Sequence, residues 1–422
     1  MKDATPSESA ASGSGQRLSR RRAMELAGAL GITAWSVTGS AAADVGAPSD
    51  TSAAPSHLEA RSARVIAPPP KNVLGANFNG AKDWSDFGQL RDVSATWLRG
   101  FFPVPDADNG VVADQPVVRT VLSAAQQGYG TVLSLKFPYH EQPIPVPGSA
   151  AMATALTRLD KVLPAVMGKV DVLVVGNEPF IECRQEDRDT PALNVFYEAI
   201  ARRVIAYRGQ HGGASNKTKL YMGALNRLND PTWRTAATNR WMSFTRDTVA
   251  LDGVDIHPHV ANLEEAQAFL DYVLPRLRDD QTFLALEFSL VHHWKAHLSD
   301  PISGAFAARY GIPATTQVWE VIADTIRRPF TQQKWNDFLA LSPWFANRRY
   351  FLRDAVQRLR ATGRLAVATY GVSQDAAMVA NFGPNSTPWL LNSLFCPYTT
   401  QPGSDGLPGR NTAWTTSFRD LQ

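Results

Sequence analysis

The sequence predicts an α/β barrel of eight strand–helix units. Three observations lead there. The run Val170–Val175 is almost unbroken β-branched and aliphatic residues, the composition of a strand buried on both faces. Short apolar runs of this kind recur eight times with helical stretches between them and no meander of consecutive strands. The first run is followed by Asn77–Gly80, which lacks the glycine-rich turn of a dinucleotide fold, and no Walker loop occurs elsewhere.

In order, Asn72–Gly80 is read as the first strand and its turn, Ala95–Phe102 as the second strand, Val118–Gly128 as a helix and Thr131–Phe137 as the third strand. Ala150–Val166 is read as a helix and Val170–Val175 as the fourth strand. Leu193–Tyr207 follows as an amphipathic helix with Val195, Phe196, Ile200, Val204 and Ile205 on its apolar face. Lys219–Asn226 is the fifth strand and Val254–Pro258 lies in the sixth. Leu263–Leu277 is a helix, Thr282–Ser289 the seventh strand and Leu365–Gly371 the eighth. The long interval before the eighth strand holds tryptophan-rich helices, Thr316–Arg327 and Trp335–Leu359, expected to include an insertion at the barrel mouth.

The chain has 422 residues, 44% of them hydrophobic, enough for one large core or two ordinary ones. A net charge of +3 gives no reason to expect nucleic acid as a partner. Cys183 and Cys396 match no zinc or redox spacing, and they are expected to pair only if the fold brings them together. Residues 1–43 are similar to a twin-arginine export signal. Ser19–Leu26 carries Arg20, Arg21 and Arg22 after a polar opening; a weakly apolar stretch to Val37 follows, and then the small residues Ala41–Ala43. Ala23 and Glu25 stand where such signals usually carry aromatic and basic residues. The resemblance implies the twin-arginine machinery as a partner and export after cleavage; residues 44–70, rich in Ala, Ser and Pro and without periodicity, are read as a flexible linker, and 71–422 as the barrel.

The fourth run ends abruptly in Gly176–Asn177–Glu178–Pro179, and the seventh in Leu286–Glu287–Phe288–Ser289. A carboxylate at the C-terminal end of a barrel strand lies where such barrels keep their active sites. Two of them across one mouth are what glycoside hydrolysis requires, one to protonate the leaving oxygen and one to attack the anomeric carbon or activate water.

Asn177–Glu178–Pro179 after strand four, with Glu287 after strand seven, resembles the clan A glycoside hydrolases, retaining enzymes on a (β/α)8 barrel. The resemblance implies Glu178 as general acid/base, Glu287 as nucleophile and Asn177 as a hydrogen-bond partner of the sugar 2-hydroxyl. Arg99, in Trp97–Gly100, matches the basic residue that holds the nucleophile ionised. His257 and His259 fall in the strand-six segment, with His259 where many members carry Tyr. Tyr370 is the aromatic nearest to the Trp that often ends strand eight, and would wall the innermost subsite. Lys136, Tyr139, His140 and Asn226 close strands three and five and are further candidates for sugar contacts. Trp84, Trp294, Trp344 and Trp389 are candidates either for stacking on sugar or for ordinary packing, and Glu182 is expected to be a solvated loop carboxylate or to line a subsite. The implied partner is a carbohydrate and the implied protein a monomer without cofactor or metal. Two other readings use the same residues: a barrel that binds glycans without cleaving them, and a metal-dependent hydrolase using Asp255, His257, His259 and His292 or His293.

Overall fold

A computed structural model describes residues 73–78, 87–211 and 217–422. The expected export signal and linker, and Trp84, lie outside the described residues. The strands are β1 (Leu74–Asn77), β2 (Trp97–Pro103), β3 (Gly130–Lys136), β4 (Val172–Val175), β5 (Lys219–Asn226), β6 (Gly253–His257), β7 (Thr282–Ala285) and β8 (Leu365–Gly371). They pair in sequence order, all parallel, and β8 closes on β1, giving the expected eight-stranded barrel. Around it run α1 (Gly88–Asp92), α2 (Pro116–Gln126), α3 (Ala150–Val166), α4 (Pro191–His211), α5 (Ala236–Asp247) and α6 (Leu263–Val273).

Side chains alternate along each strand between the barrel interior and the helix layer. Val132, Val172, Val174, Tyr221, Leu284, Leu286 and Val367 form the interior cluster, with Trp97 packed against it. The other face merges with the helices into one large core. Gly75 and Gly130 make room for Trp97: a Cβ at Gly130 would lie 2.2 Å from Trp97 Cδ2, and one at Gly75 2.3 Å from Trp97 Cβ. The lower barrel is filled in this way, and the polar inward residues stack above it.

Two elements differ from expectation. β7 stops at Ala285 because the Leu286 N–H donates to Asp255 Oδ1 (3.1 Å), a side chain taking over from the ladder. The helix expected over Trp335–Leu359 is three pieces. The β7–β8 interval holds α7 (Val291–Ala296), α8 (Gly304–Tyr310), α9 (Val318–Arg327), α10 (Gln332–Ala340), α11 (Pro343–Ala346) and α12 (Phe351–Ala361). Pro343 offers no N–H and pushes Ser342 into extended backbone (φ −90°, ψ 111°), which ends α10.

A last helix, α13 (Thr412–Asp420), follows the irregular segment after β8. Trp294, Trp335 and Trp414 are fully buried, their indole N–H groups donating to Asn392, Asn411 and the Leu391 carbonyl. Trp344 packs on Trp294 and Phe338. Of the two readings open for Trp294 and Trp344, the structure gives packing: both are core residues. Cys183 and Cys396 are separate buried thiols, each pushed up to about 12 by burial. No helix among the described residues is long and apolar enough to cross a membrane.

Candidate active site

Period-two alternation sends Trp97 and Arg99 inward from β2, Ser134 and Lys136 from β3, and Asp255 and His257 from β6. Arg99 is fully buried, and burying a guanidinium is tolerable only with its donors satisfied. They are satisfied here. Nη1 donates to Glu287 Oε1 (2.6 Å) and Asn77 Oδ1 (3.0 Å), Nη2 donates to Asn177 Oδ1, and Nε and Nη2 share Ser134 Oγ (3.3 Å each). Asn177 and Glu178 reach the mouth because the chain bends at Gly176, whose φ of +98° a side chain would strain.

The Glu178 carboxylate accepts at Oε1 from Asn226 Nδ2 (2.7 Å) and from His257 Nδ1 (3.0 Å). On its other side, the His257 imidazole meets Asp255 Oδ2 through Nε2 (3.1 Å), and Nδ1 is 3.8 Å from Glu287 Oε1. Burial by itself would lower the His257 pKa, but the surrounding Glu287, Asp255 and Glu178 carboxylates outweigh it and raise it to about 10. An imidazolium donating through both nitrogens fits both contacts. For Glu287, burial raises the carboxyl pKa, yet the charges of His257 and Arg99 hold it well below the usual range. Burial and Glu287 also work against ionisation of Glu178, and the His257 hydrogen bond tips it below its ordinary value. The pair Glu178–His257 thus holds one transferable proton beside an ionised Glu287.

Asp255, named from the sequence only as a metal ligand of the alternative hydrolase, lies behind His257 as that ring's carboxylate partner. Its role predicts a measurable change. In Asp255→Asn the side-chain oxygen can still accept from Leu286 N, but the charge that raises the His257 pKa is gone. The His257 titration, followed by imidazole NMR, should fall from about 10 by one unit or more. A folded-state pKa raised above the ordinary ~6.5 contributes stability that is complete below that value and is lost as pH rises through the folded pKa. The Asp255→Asn protein should accordingly begin losing this contribution at lower pH in urea titrations. An unmoved titration would count against Asp255 as a charge that holds the His257 proton.

His259 Nε2 is 3.7 Å from Glu287 Oε2, too long for a hydrogen bond, while Nδ1 meets Ser289 Oγ at 2.8 Å. The His259 ring stands edge-on to Trp389 (4.9 Å between centroids, 78°). Trp389, half-buried in the segment after β8, meets this cluster at His259, and the Phe101 ring lies under Arg99 (5.3 Å to the centroid). Tyr370 is not there. It is one residue out of phase with the inward Val367 and Thr369, so it points into the helix layer and packs on Phe288 and Trp414. Tyr370 is therefore a core residue and not a subsite wall.

Glu182 also departs from expectation. It is fully buried, with Oε1 accepting from Asn177 Nδ2 (2.7 Å) and paired with Lys136 Nζ (3.2 Å), and burial raises its pKa. The turn after β4 folds back, Glu182 N donating to Glu178 O (2.8 Å) and Tyr139 N to Glu182 O (2.8 Å), which carries it inward. Both ends of the Asn177 amide are consequently engaged by protein. Asn226 Oδ1, by contrast, is buried without a protein partner and is the amide oxygen open to a hydroxyl donor. Tyr139 packs edge-on against Phe196, and His140 Nε2 is buried without a partner.

One ligand atom from each of Glu178, His257, His259 and Glu287 falls within a 4.8 Å set. Asp255 lies behind His257 and outside it, so the metal set expected from strand six is not the one that converges. The four groups fit a cation poorly, because the Arg99 guanidinium already occupies Glu287 Oε1 and both His257 nitrogens are engaged.

No family model matches the sequence, and no curated protein matches it. Solved structures with some likeness include a ligand-free variant of Saccharomyces cerevisiae Gas2, at 14% identity and a TM-score of 0.36, covering 51% of this chain and 46% of that one. Another is Saccharomyces cerevisiae Gas2 in complex with laminaritriose and laminaritetraose, at 15% identity and a TM-score of 0.32, covering 47% of this chain and 42% of that one. The chain thus spans less than half the length of these two proteins.

Proposed function

We propose that the chain is a retaining glycoside hydrolase cleaving β-linked O-glycosides of a polysaccharide or its fragments. The observation that carries this reading is the approach of the two buried carboxylates, Glu178 and Glu287, whose oxygens come within 4.8 Å at the mouth of the barrel. Retaining enzymes hold their carboxyl groups ~5–5.5 Å apart, whereas inverting ones need ~6.5–9.5 Å to seat a water. Glu287 Oε1 is held by Arg99, which leaves Oε2 to attack. In the first step the Glu287 Oε2–anomeric carbon bond forms as the bond to the leaving oxygen breaks, and the proton shared by His257 and Glu178 goes to that oxygen. Glycosylation removes the Glu287 charge, which lowers the proton affinity of Glu178 and fits it to act as base. In the second step Glu178 takes a proton from water, whose oxygen attacks the anomeric carbon and releases Glu287. Export rests on the arginine-rich segment Ser19–Leu26.

The test is a panel of β-aryl glycosides and plant or microbial polysaccharides, with proton NMR of the first product formed. The β-anomer should come first; first appearance of the α-anomer would overturn the retaining reading. The convergence of Glu178, His257, His259 and Glu287 is the one observation favouring a metal-dependent hydrolase. Turnover abolished by a chelator and restored by a divalent cation would favour that alternative, and binding of glycans without turnover of any would favour a non-catalytic barrel.

A further inference from the structure

The charges around the two carboxylates are largely matched within the chain. Arg99 serves Glu287, His257 lies between Glu178 and Asp255, and Lys136 Nζ pairs with Glu182. Arg227 is the exception. It follows Asn226, whose amide holds Glu178, and its guanidinium makes no ion pair with any carboxylate among the described residues. Its contact is with the Trp233 ring, 5.2 Å from the centroid, and Arg188 lies over the same ring at 4.2 Å. Arg188 donates Nε to the Phe180 carbonyl (2.8 Å), two residues past Glu178. The nearby Asp230 carboxylate is used locally, accepting from Thr232 N and Oγ1 at 2.9 and 2.8 Å.

Two guanidinium groups therefore converge on one half-buried indole, and neither has an ion-paired carboxylate among the described residues. The backbone of Arg227 is also strained, at φ +52°. The other non-glycine residues with positive φ among the described ones are Ser94 and Asn381, whose short side chains suit that region better. Strain of this kind gathers at ligand sites, where a precise side-chain direction matters. His292 keeps an exposed surface and feels the Arg227 charge. Lost solvation, with the charges of His259 and Arg227, pushes it down to about 4, so it supplies no competing charge near neutral pH.

We propose that Arg227, backed by Arg188, binds an anionic substituent, a carboxylate or a sulfate ester, on a sugar next to the scissile bond. The inference rests on the glycosidase reading of Glu178 and Glu287 and narrows its substrate to an acidic glycan. A planar guanidinium with open donors matches either anion through two parallel hydrogen bonds. Hydroxyl groups of a neutral sugar would leave its charge unbalanced.

The experiment compares matched pairs of oligosaccharides, uronate against neutral hexose and sulfated against unsulfated, at low and high ionic strength. The wild-type protein should favour one acidic member in kcat/KM by on the order of 10²-fold, and the preference should shrink with salt. Preference for the uronate identifies the carboxylate, and preference for the sulfated sugar identifies the ester. Arg227→Asn, which tolerates the left-handed backbone, should bring that ratio below about ten, and Arg227→Lys should retain part of it. Where Arg227→Asn fails to fold, the wild-type preference and its salt dependence decide. Neutral members cleaved as fast as acidic ones, or an undiminished preference in folded Arg227→Asn, would overturn this inference and leave the glycosidase reading standing. No cleavage of any member, together with no covalent adduct on Glu287, would overturn both.

Discussion

Replacing Glu287 with Ala should lower kcat on the order of 10⁴-fold or more for every glycoside, whatever its leaving group, because no glycosyl-enzyme can form. Replacing Glu178 with Ala should act selectively. A dinitrophenyl leaving group departs without protonation, so glycosylation survives, while release, deprived of its base, becomes slow. The expected trace is a burst followed by a low steady rate. Azide needs no general base and should restore turnover in Glu178→Ala with retained configuration. In Glu287→Ala any azide product should be inverted, since azide then attacks in place of the missing carboxylate. Reversed behaviour of the two variants would exchange the roles of Glu178 and Glu287.

The second large effect is on stability. Arg99→Met should cost about 3–5 kcal/mol, the usual penalty for leaving a buried charge without its partner. Arg99 is fully buried and joins Asn77, Ser134, Asn177 and Glu287, so its loss frees acceptors from four chain segments at once. The variant should also respond differently to acid. Burial pushes the Glu287 pKa up, and Arg99 is one of the cations that hold it well below its ordinary value. A depressed carboxylate pKa contributes stability that is present above the unfolded value of about 4.5 and is lost as pH falls through the folded pKa. Without Arg99 the Glu287 pKa should rise, and this part of the acid-dependent loss should shrink or reverse. Urea titrations between pH 7 and pH 3 measure both effects. Equal stability and equal acid dependence would contradict the placement of Arg99 as the counter-ion of Glu287.

The barrel was legible because its signals are local. β5, β8 and α3 have the boundaries that their apolar runs and flanking polar residues predict. The apolar run overstates the length of β7 because what ends the strand, the Asp255 carboxylate capturing Leu286 N, belongs to another strand. For a related reason Tyr370 does not show its direction in the sequence. Its identity suggests a sugar platform, but its direction follows from phase with Val367 and Thr369, and phase is set by register across the sheet. Glu182 reads as a loop carboxylate until Lys136 and Asn177 are seen to enclose it. The segment after β8 carries no strand or long-helix pattern around Trp389, so its packing on His259 had no periodic signal to announce it. Arg227 gives no sign in the sequence, because a charge in a loop is ordinarily solvated; that it meets the Trp233 ring and no carboxylate ion-pair partner among the described residues is a three-dimensional fact.

The covalent intermediate tests the central claim most directly. Glu178→Ala protein should be mixed with a panel of dinitrophenyl β-glycosides that includes uronides, quenched within the burst and examined by intact mass and peptide mapping. The account predicts a mass gain of one glycosyl residue, carried by the peptide containing Glu287 and absent from the Glu178→Ala/Glu287→Ala double variant. An adduct on any other residue, or hydrolysis by the wild-type protein with no adduct ever trapped in Glu178→Ala, would contradict it.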